Sequence, residues 1–295
     1  MARALLISNP IAARTDRRVL ARVESAFKNQ GWSVDVAETK YPGDATEIAA
    51  NAPAVDVVAV YGGDGTVMQV VHGIIDKDVP LGLIPGGTGN LLAGNLRLPR
   101  NPEAAARTIM SGTRKRIDLG VVDRSGGPRY FAVASGAGYV ADLMAGTPSA
   151  SKKKWGIAAY VARAARTLGG VRASVYQITV DGVTSEVEAA TVLVANCGEI
   201  IPPILSLGRG ISYEDGLLNA VALRANGLFE AARVAFELLM GWGDNSPRVS
   251  HFRGTSIEIV TDTPRPVQMD GEEAGFTPFT ARLLPGALQV IVPKD

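Results

Sequence analysis

The chain has 295 residues, 46% of them hydrophobic and 20% charged, enough for one large or two ordinary globular domains. Lys+Arg 30 against Asp+Glu 29 leaves +1, which speaks against the basic excess of a nucleic-acid binder. A lone Cys197 excludes an internal disulfide, His72 and His251 are too few and too scattered for a Cys/His zinc site, and no apolar run approaches the ~20 residues of a membrane span.

In chain order, residues 4–8 form an apolar strand that Asn9-Pro10 ends, too short for the core of a signal peptide. Thr15 or Asp16 caps a helix running to Gln30, with Val19, Leu20, Val23 and Phe27 on one face. Residues 33–36 are a second strand, 44–51 a short helix and 55–61 a third, buried strand. A helix at 66–75, a strand at 81–84 and helical stretches at 91–96 and 102–110 follow. This β-α-β-α alternation predicts a parallel sheet covered by helices.

Two glycine-rich turns stand at the carboxyl ends of strands in that segment. They are Gly62-Gly63-Asp64-Gly65-Thr66 and Pro85-Gly86-Gly87-Thr88-Gly89-Asn90. Each opens a helix, so backbone N–H groups point where an anion can approach closely. Open α/β sheets bind ligands at this edge, where Asn9 also falls. Asp64 is the odd member of the set. A carboxylate beside a polyphosphate is repelled unless it faces a cation or takes a proton from a nucleophile. The pattern predicts phosphoryl transfer.

From Lys115 onward the runs read as β-hairpins, so a boundary falls at 117/118 between an α/β domain and a mostly antiparallel, β-sandwich-like one. Residues 117–123 and 129–135 flank Ser125-Gly126-Gly127-Pro128; residues 174–180 and 186–195 flank Asp181-Gly182. Strands are expected at 217–223, 256–261, 280–284 and 288–292, the last able to return to the first domain. Helices are expected at 157–168 and 228–240, the second with its apolar stripe in the core. Asp270-Gly271 reads as a further hairpin turn.

Five motifs occur in order: Asn9-Pro10, Gly62–Thr66, Pro85–Asn90, Tyr213-Glu214-Asp215-Gly216-Leu217-Leu218 and Asp270-Gly271-Glu272. Over nearly its whole length the chain resembles the diacylglycerol kinase catalytic-domain family, which includes bacterial soluble lipid kinases, sphingosine kinases and ceramide kinase. That resemblance implies a two-domain fold with ATP in the cleft between the domains. It implies a first nucleotide loop at Asn9, Pro10, Ile11, Ala12 and Ala13, with Ala13 where the family has Gly, and further nucleotide contacts at Thr39, Gly62, Gly63, Gly65, Thr66, Gly87, Thr88 and Asn90. Asp64 is implied to act through Mg²⁺ on the transferring phosphate, and Glu272 to accept the proton of a lipid hydroxyl, which calls for partial burial to raise its pKa. Val67-Met68-Gln69 replaces the family's usual Leu/Ile-Asn-Glu.

The resemblance further implies a structural Mg²⁺ site at Ser212, Asp215 and Leu217, a lipid-head contact at Asp142 and a basic residue at Lys154; Lys152-Lys153-Lys154 beside Trp155 reads as a contact with an anionic leaflet or as a solvated loop. A dimer through the second domain and a cytoplasmic, peripherally membrane-bound enzyme without an anchor also follow from it. Two other readings compete. An NAD kinase shares Gly-Gly-Asp-Gly but needs an Asn-Glu pair and a different second turn. A nucleotide- or lipid-binding homologue without turnover fits the changes at Ala13 and Met68-Gln69.

Overall fold

The computed structural model describes residues 1–139, 141 and 170–294. The expected helix at 157–168, Asp142 and Lys154 lie outside the described residues. The chain divides into two compact units, Met1–Ile117 with Gly286–Asp295, and Asp118–Pro285.

In the first unit β1 (Arg3–Ser8), β3 (Val57–Gly62) and β4 (Leu81–Pro85) are almost wholly buried apolar runs. Such runs suit parallel strands covered on both faces. β2 (Ser33–Glu38) is half-exposed, as an edge strand can be. The order is β2-β1-β3-β4, all parallel, and Val290 of the final strand pairs in parallel with Leu81 beyond β4. The helices are α1 (Arg17–Asn29), α2 (Asp44–Ala50), α3 (Asp64–Ile74), α4 (Leu91–Asn95) and α5 (Pro102–Ser111). Asp16 caps α1 by accepting the N–H of Arg18 at 2.7 Å, and Asn101 caps α5 through the N–H of Ala104 at 2.9 Å. Leu20, Val23 and Phe27 of α1, spaced three and four apart, pack with Ala105, Ala106 and Ile109 of α5 onto Leu6, Ala59, Tyr61 and Ile84. Each fully buried Leu, Ile or Phe there stabilises by roughly 1.5–3 kcal/mol. That packing fixes where the strand ends, and hence the glycine turns, stand.

The second unit is a pair of mostly antiparallel sheets over one core. Its strands are β5 (Thr113–Arg124, which starts in the first unit), β6 (Gly127–Phe131), β7 (Ala134–Gly138), β8 (Ser174–Val180), β9 (Val183–Ala189), β10 (Thr191–Ala195), β11 (Glu199–Ile201), β12 (Leu205–Ser206) and β13 (Leu218–Leu223). After α6 (Leu228–Leu239) come β14 (Val249–Gly254), β15 (Ser256–Thr261), β16 (Pro266–Met269), β17 (Glu272–Phe276) and β18 (Phe279–Val292), which ends in the first unit. One sheet runs β14-β13-β10-β7-β16-β17; in the other β15 joins β18 to β8, and β8 pairs β9. Tyr176, Ile178, Ile257 and Phe279 from the latter sheet meet Val192, Val194, Leu218 and Met269 from the former.

Four expectations are corrected. Residues 129–135 are not one strand: the run breaks at Ala132-Val133, where the carboxylate of Asp270 takes the N–H groups a strand partner would otherwise hold. Residues 186–195 break at Ala190, whose N–H donates to Leu223 O, so β9 and β10 join different sheets. Residues 280–284 and 288–292 form one strand, β18. The apolar stripe of α6 is core only at Val234 and Leu238; Phe229, Phe236, Leu239 and Met240 face solvent.

Candidate active site

β3 and β4 end side by side, with Gly62 opposite Pro85 in register, so the two glycine turns are neighbours. The N–H of Gly86 donates to Gly62 O at 2.8 Å and the N–H of Arg14 donates to Gly86 O at 2.9 Å. A Cβ on Gly87 would stand 2.6 Å from the Cα of Gly63, closer than real Cβ atoms come. Glycine is required there because two backbones touch, with φ outside the left-handed region.

Asp64 is the first residue of α3, half-buried. Its Oδ2 accepts the N–H of Asn90 at 2.8 Å and its Oδ1 the N–H of Leu91 at 2.6 Å. Asp64 therefore closes the start of α4, while Asn90, in the left-handed conformation at φ 51°, exchanges side-chain hydrogen bonds with Gly87 N and O. Loss of water pushes the Asp64 carboxyl above its ordinary value, against the pull of the Leu91 and Asn90 amides. The amino end of α3 differs. Its cap is Gly63, which supplies no side-chain acceptor. The first-turn N–H groups of this 11-residue helix therefore have no side-chain cap and stand beside a carboxylate, an arrangement that can seat an anion accompanied by a cation.

The first loop is tied to the same place. Asn9 Nδ2 donates to Thr66 Oγ1 at 2.8 Å, and Asn9 Oδ1 accepts the N–H of Ile11 at 3.1 Å. Ala13 keeps a φ outside the left-handed region, so its departure from Gly costs no backbone strain. Thr39 is half-buried just past β2 and donates its N–H to Ser8 O at 2.9 Å; Thr88 is half-buried within the second turn. The first unit thus brings together Asn9, Gly62–Thr66 and Gly86–Asn90. Thr15, read from sequence only as a helix cap, instead ties the first loop, donating to Asn9 O at 2.8 Å and Ala12 O at 2.9 Å.

In the second unit Asp270 and Gly271 take φ +46° and +88° and turn β16 into β17. Asp270, which sequence reasoning treats as a turn former, accepts the N–H groups of Ala132 at 2.7 Å and of Val133 and Ala134 at 2.9 Å. Glu272 is exposed at the start of β17, without the partial burial expected of it. Its carboxylate takes no hydrogen bond or ion pair among the described residues. Cys197 is buried, and its thiol is pushed well up by desolvation.

The loop with Ser212, Asp215 and Leu217 is held from inside. Asp215 Oδ1 accepts the N–H of Leu217 at 3.0 Å, and Oδ2 lies 3.3 Å from Arg253 Nη2. Buried Asp118, missed in sequence, accepts the N–H of Gly216 at 2.9 Å through Oδ2. Each oxygen of Asp215 has one partner and keeps further lone pairs, so the structural cation site implied here is a proposal to which no chemistry is assigned. Among the described residues no group of three or more His, Cys, Asp or Glu could hold a metal ion. Mg²⁺ at the first unit fits: Asp64 presents one carboxylate held by the amides of Asn90 and Leu91, and Mg²⁺ needs only one or two carboxylates when phosphates supply the rest.

Comparison with known proteins gives one consistent picture. Residues 3–122 match the diacylglycerol kinase catalytic domain, and residues 132–292 match the YegS C-terminal NAD kinase beta sandwich-like domain. A diacylglycerol kinase of Bacillus subtilis is 30% identical over 301 residues, covering 100% of this chain and 98% of the relative. A Bacillus anthracis crystal structure named only provisionally as a diacylglycerol kinase is 29% identical, with TM-score 0.80 over 98% of this chain and 95% of that one. A further Bacillus anthracis structure, of a diacylglycerol kinase, is 25% identical with TM-score 0.75, covering 98% and 96%.

Proposed function

From its membership of the diacylglycerol kinase catalytic-domain family, we propose that this chain is an ATP-dependent lipid kinase that phosphorylates a hydroxyl of a diacylglycerol or a sphingoid long-chain base. The observation that carries the reading is the contrast between two helix starts: Asp64 closes α4, while the amino end of α3 is left open beside it. Its N–H groups at residues 64–66 receive phosphate oxygens, and Asn9 holds Thr66 in place from the first loop.

Bound Mg²⁺ supplies charge neutralisation on the transferring phosphoryl group. Asp64 would hold that cation, with the phosphates supplying the remaining oxygen ligands. The lipid oxygen forms a bond to the γ-phosphorus as the bond to the β-bridging oxygen breaks, and the hydroxyl proton passes to Glu272. An exposed carboxylate is a weak base by itself; ordering it against substrate and shedding its water is the step that makes it competent. Thr39, Thr88, Gly87, Asn90 and residues 10–13 complete the proposed nucleotide site. Among the described residues no helix is long and apolar enough to cross a membrane. The proposed substrate is insoluble in water, so the enzyme works in the cytoplasm at a membrane surface it visits.

The test is a screen for transfer from γ-³²P-ATP to diacylglycerol, monoacylglycerol, sphingosine, dihydrosphingosine, ceramide and NAD. Label in a glycerolipid or sphingoid base supports the proposal. Label in NAD alone replaces it with NAD kinase, and nucleotide binding without transfer to any acceptor replaces it with a binding protein.

A further inference from the structure

α6 is built inside out. Its inner face carries Val234, Leu238 and a buried acid, Glu237. Ser246 Oγ donates to Glu237 at 2.5 Å and Arg233 Nε at 2.9 Å, and these bonds lower its carboxyl pKa. The outer face carries Leu228, Phe229, Ala232, Phe236, Leu239 and Met240, all exposed. At 3.6 residues per turn these fall within an arc of about 120° without one polar side chain. Phe229 is 88% exposed and Phe236 51%. Past the helix, Trp242 is 54% exposed with its ring edge-on to Phe236, and β12, which packs against α6, follows exposed Ile204. A soluble monomer rarely leaves such a contiguous apolar surface uncovered.

We propose that this face of α6 is the surface that seats in the lipid interface, and the proposal rests on the lipid-kinase reading for its partner. Charge placement selects a lipid leaflet. The first charge met beside the apolar arc, next to Met240, is the guanidinium of Arg233, which donates through Nε to Glu237 and is still 63% exposed. The helix's two acids lie behind it and are engaged: Glu230 accepts the N–H of Asn226 at 2.7 Å, and Glu237 holds Ser246 and Arg233. An apolar face rimmed first by arginine, with a tryptophan at its margin, matches an interfacial helix that buries its apolar side at headgroup depth while the cation meets lipid phosphate. Most of the binding is apolar, so salt weakens it only modestly.

The test uses the full chain and flotation on vesicles of phosphatidylcholine and phosphatidylglycerol, with no ATP and no acceptor lipid. Phe229→Glu and Phe236→Glu are compared with Val183→Glu, a control on the β8–β9 hairpin where Val183 is also exposed. The expected result is at least about a tenfold drop in partitioning for both α6 variants, none for the control, and unchanged melting temperature and mass in solution. Unchanged partitioning of the α6 variants overturns the proposal, as does failure of the wild type to float. Conversion of a wild-type dimer to monomer by Phe229→Glu assigns the face to a second copy, and a large fall in melting temperature assigns it to the chain's own residues; either overturns the lipid seat. Transfer to a water-soluble short-chain diacylglycerol separates the two readings. Retained turnover with lost flotation is the expected pairing for Phe229→Glu. Flotation by a wild type that phosphorylates no lipid leaves the seat standing and removes the kinase.

Discussion

Glycine serves opposite ends in the two units: close approach in the paired glycine-rich turns of the first, left-handed backbone in the Asp-Gly turns of the other. At Gly63 and Gly87 backbone φ is ordinary but there is no room; a Cβ on Gly87 would strike the Cα of Gly63. At Gly271 there is nothing within 4 Å, but φ is +88°. The carboxylates divide in the same way. Asp64 and Asp270 are both gripped by backbone amides, whereas Glu272, two residues past Asp270, is exposed and held by nothing described. A fixed carboxylate shapes its surroundings; under the proposed mechanism the unheld one takes a proton only after substrate arrives.

Substitutions can break that division, the largest effects first. Asp64→Asn should lower kcat by about 10⁴-fold, near the upper reach of a single catalytic group, measured by label transfer to the best acceptor. Glu272→Gln should lower kcat by roughly 10²–10³-fold while the melting temperature stays put, since its carboxylate makes no described bond. A matching fall in stability would show that Glu272 is structural. Asp270→Ala should reverse the pattern. It strands three N–H groups at residues 132–134, costing about 2–4 kcal/mol by urea denaturation.

Gly87→Ala should cost roughly 1–3 kcal/mol through overpacking of the turns and raise KM for ATP more than KM for lipid. The smallest effect is in pH. Asp64 must be ionised to hold a cation, and burial raises its pKa above the ordinary value of 3.8. Activity should therefore fall on acidification at a higher pH than an exposed aspartate would give. The stability contribution runs the other way: the folded state binds this proton more tightly, so stability from Asp64 declines as pH rises from 3.8 through the raised value.

Much of this is legible in the chain because local chemistry decides it. The buried runs at β3 and β4, the cap at Asp16 and the Asp-Gly hairpins follow from propensity and turn rules alone, and both glycine turns stand where open α/β sheets bind ligands. What is not legible depends on distant partners. The break at Ala132-Val133 is made by Asp270, more than 130 residues away. Asp118 gives no local sign that it holds Gly216. The stripe on α6 is apolar as its period requires, yet most of it faces solvent and not the core. A 3.6-residue period says that one face is apolar and not which way it points. The reason for glycine at position 87 is equally hidden, since close approach and left-handed backbone leave the same letter.

The central claim is that the open start of α3, with Asp64 beside it, receives the triphosphate. Amide hydrogen exchange with and without Mg·ATP tests it most directly. The account predicts that binding slows exchange at residues 62–66 and 86–91, and that Asp64→Asn weakens this protection. Nucleotide binding that leaves those amides unchanged and protects another region would contradict it.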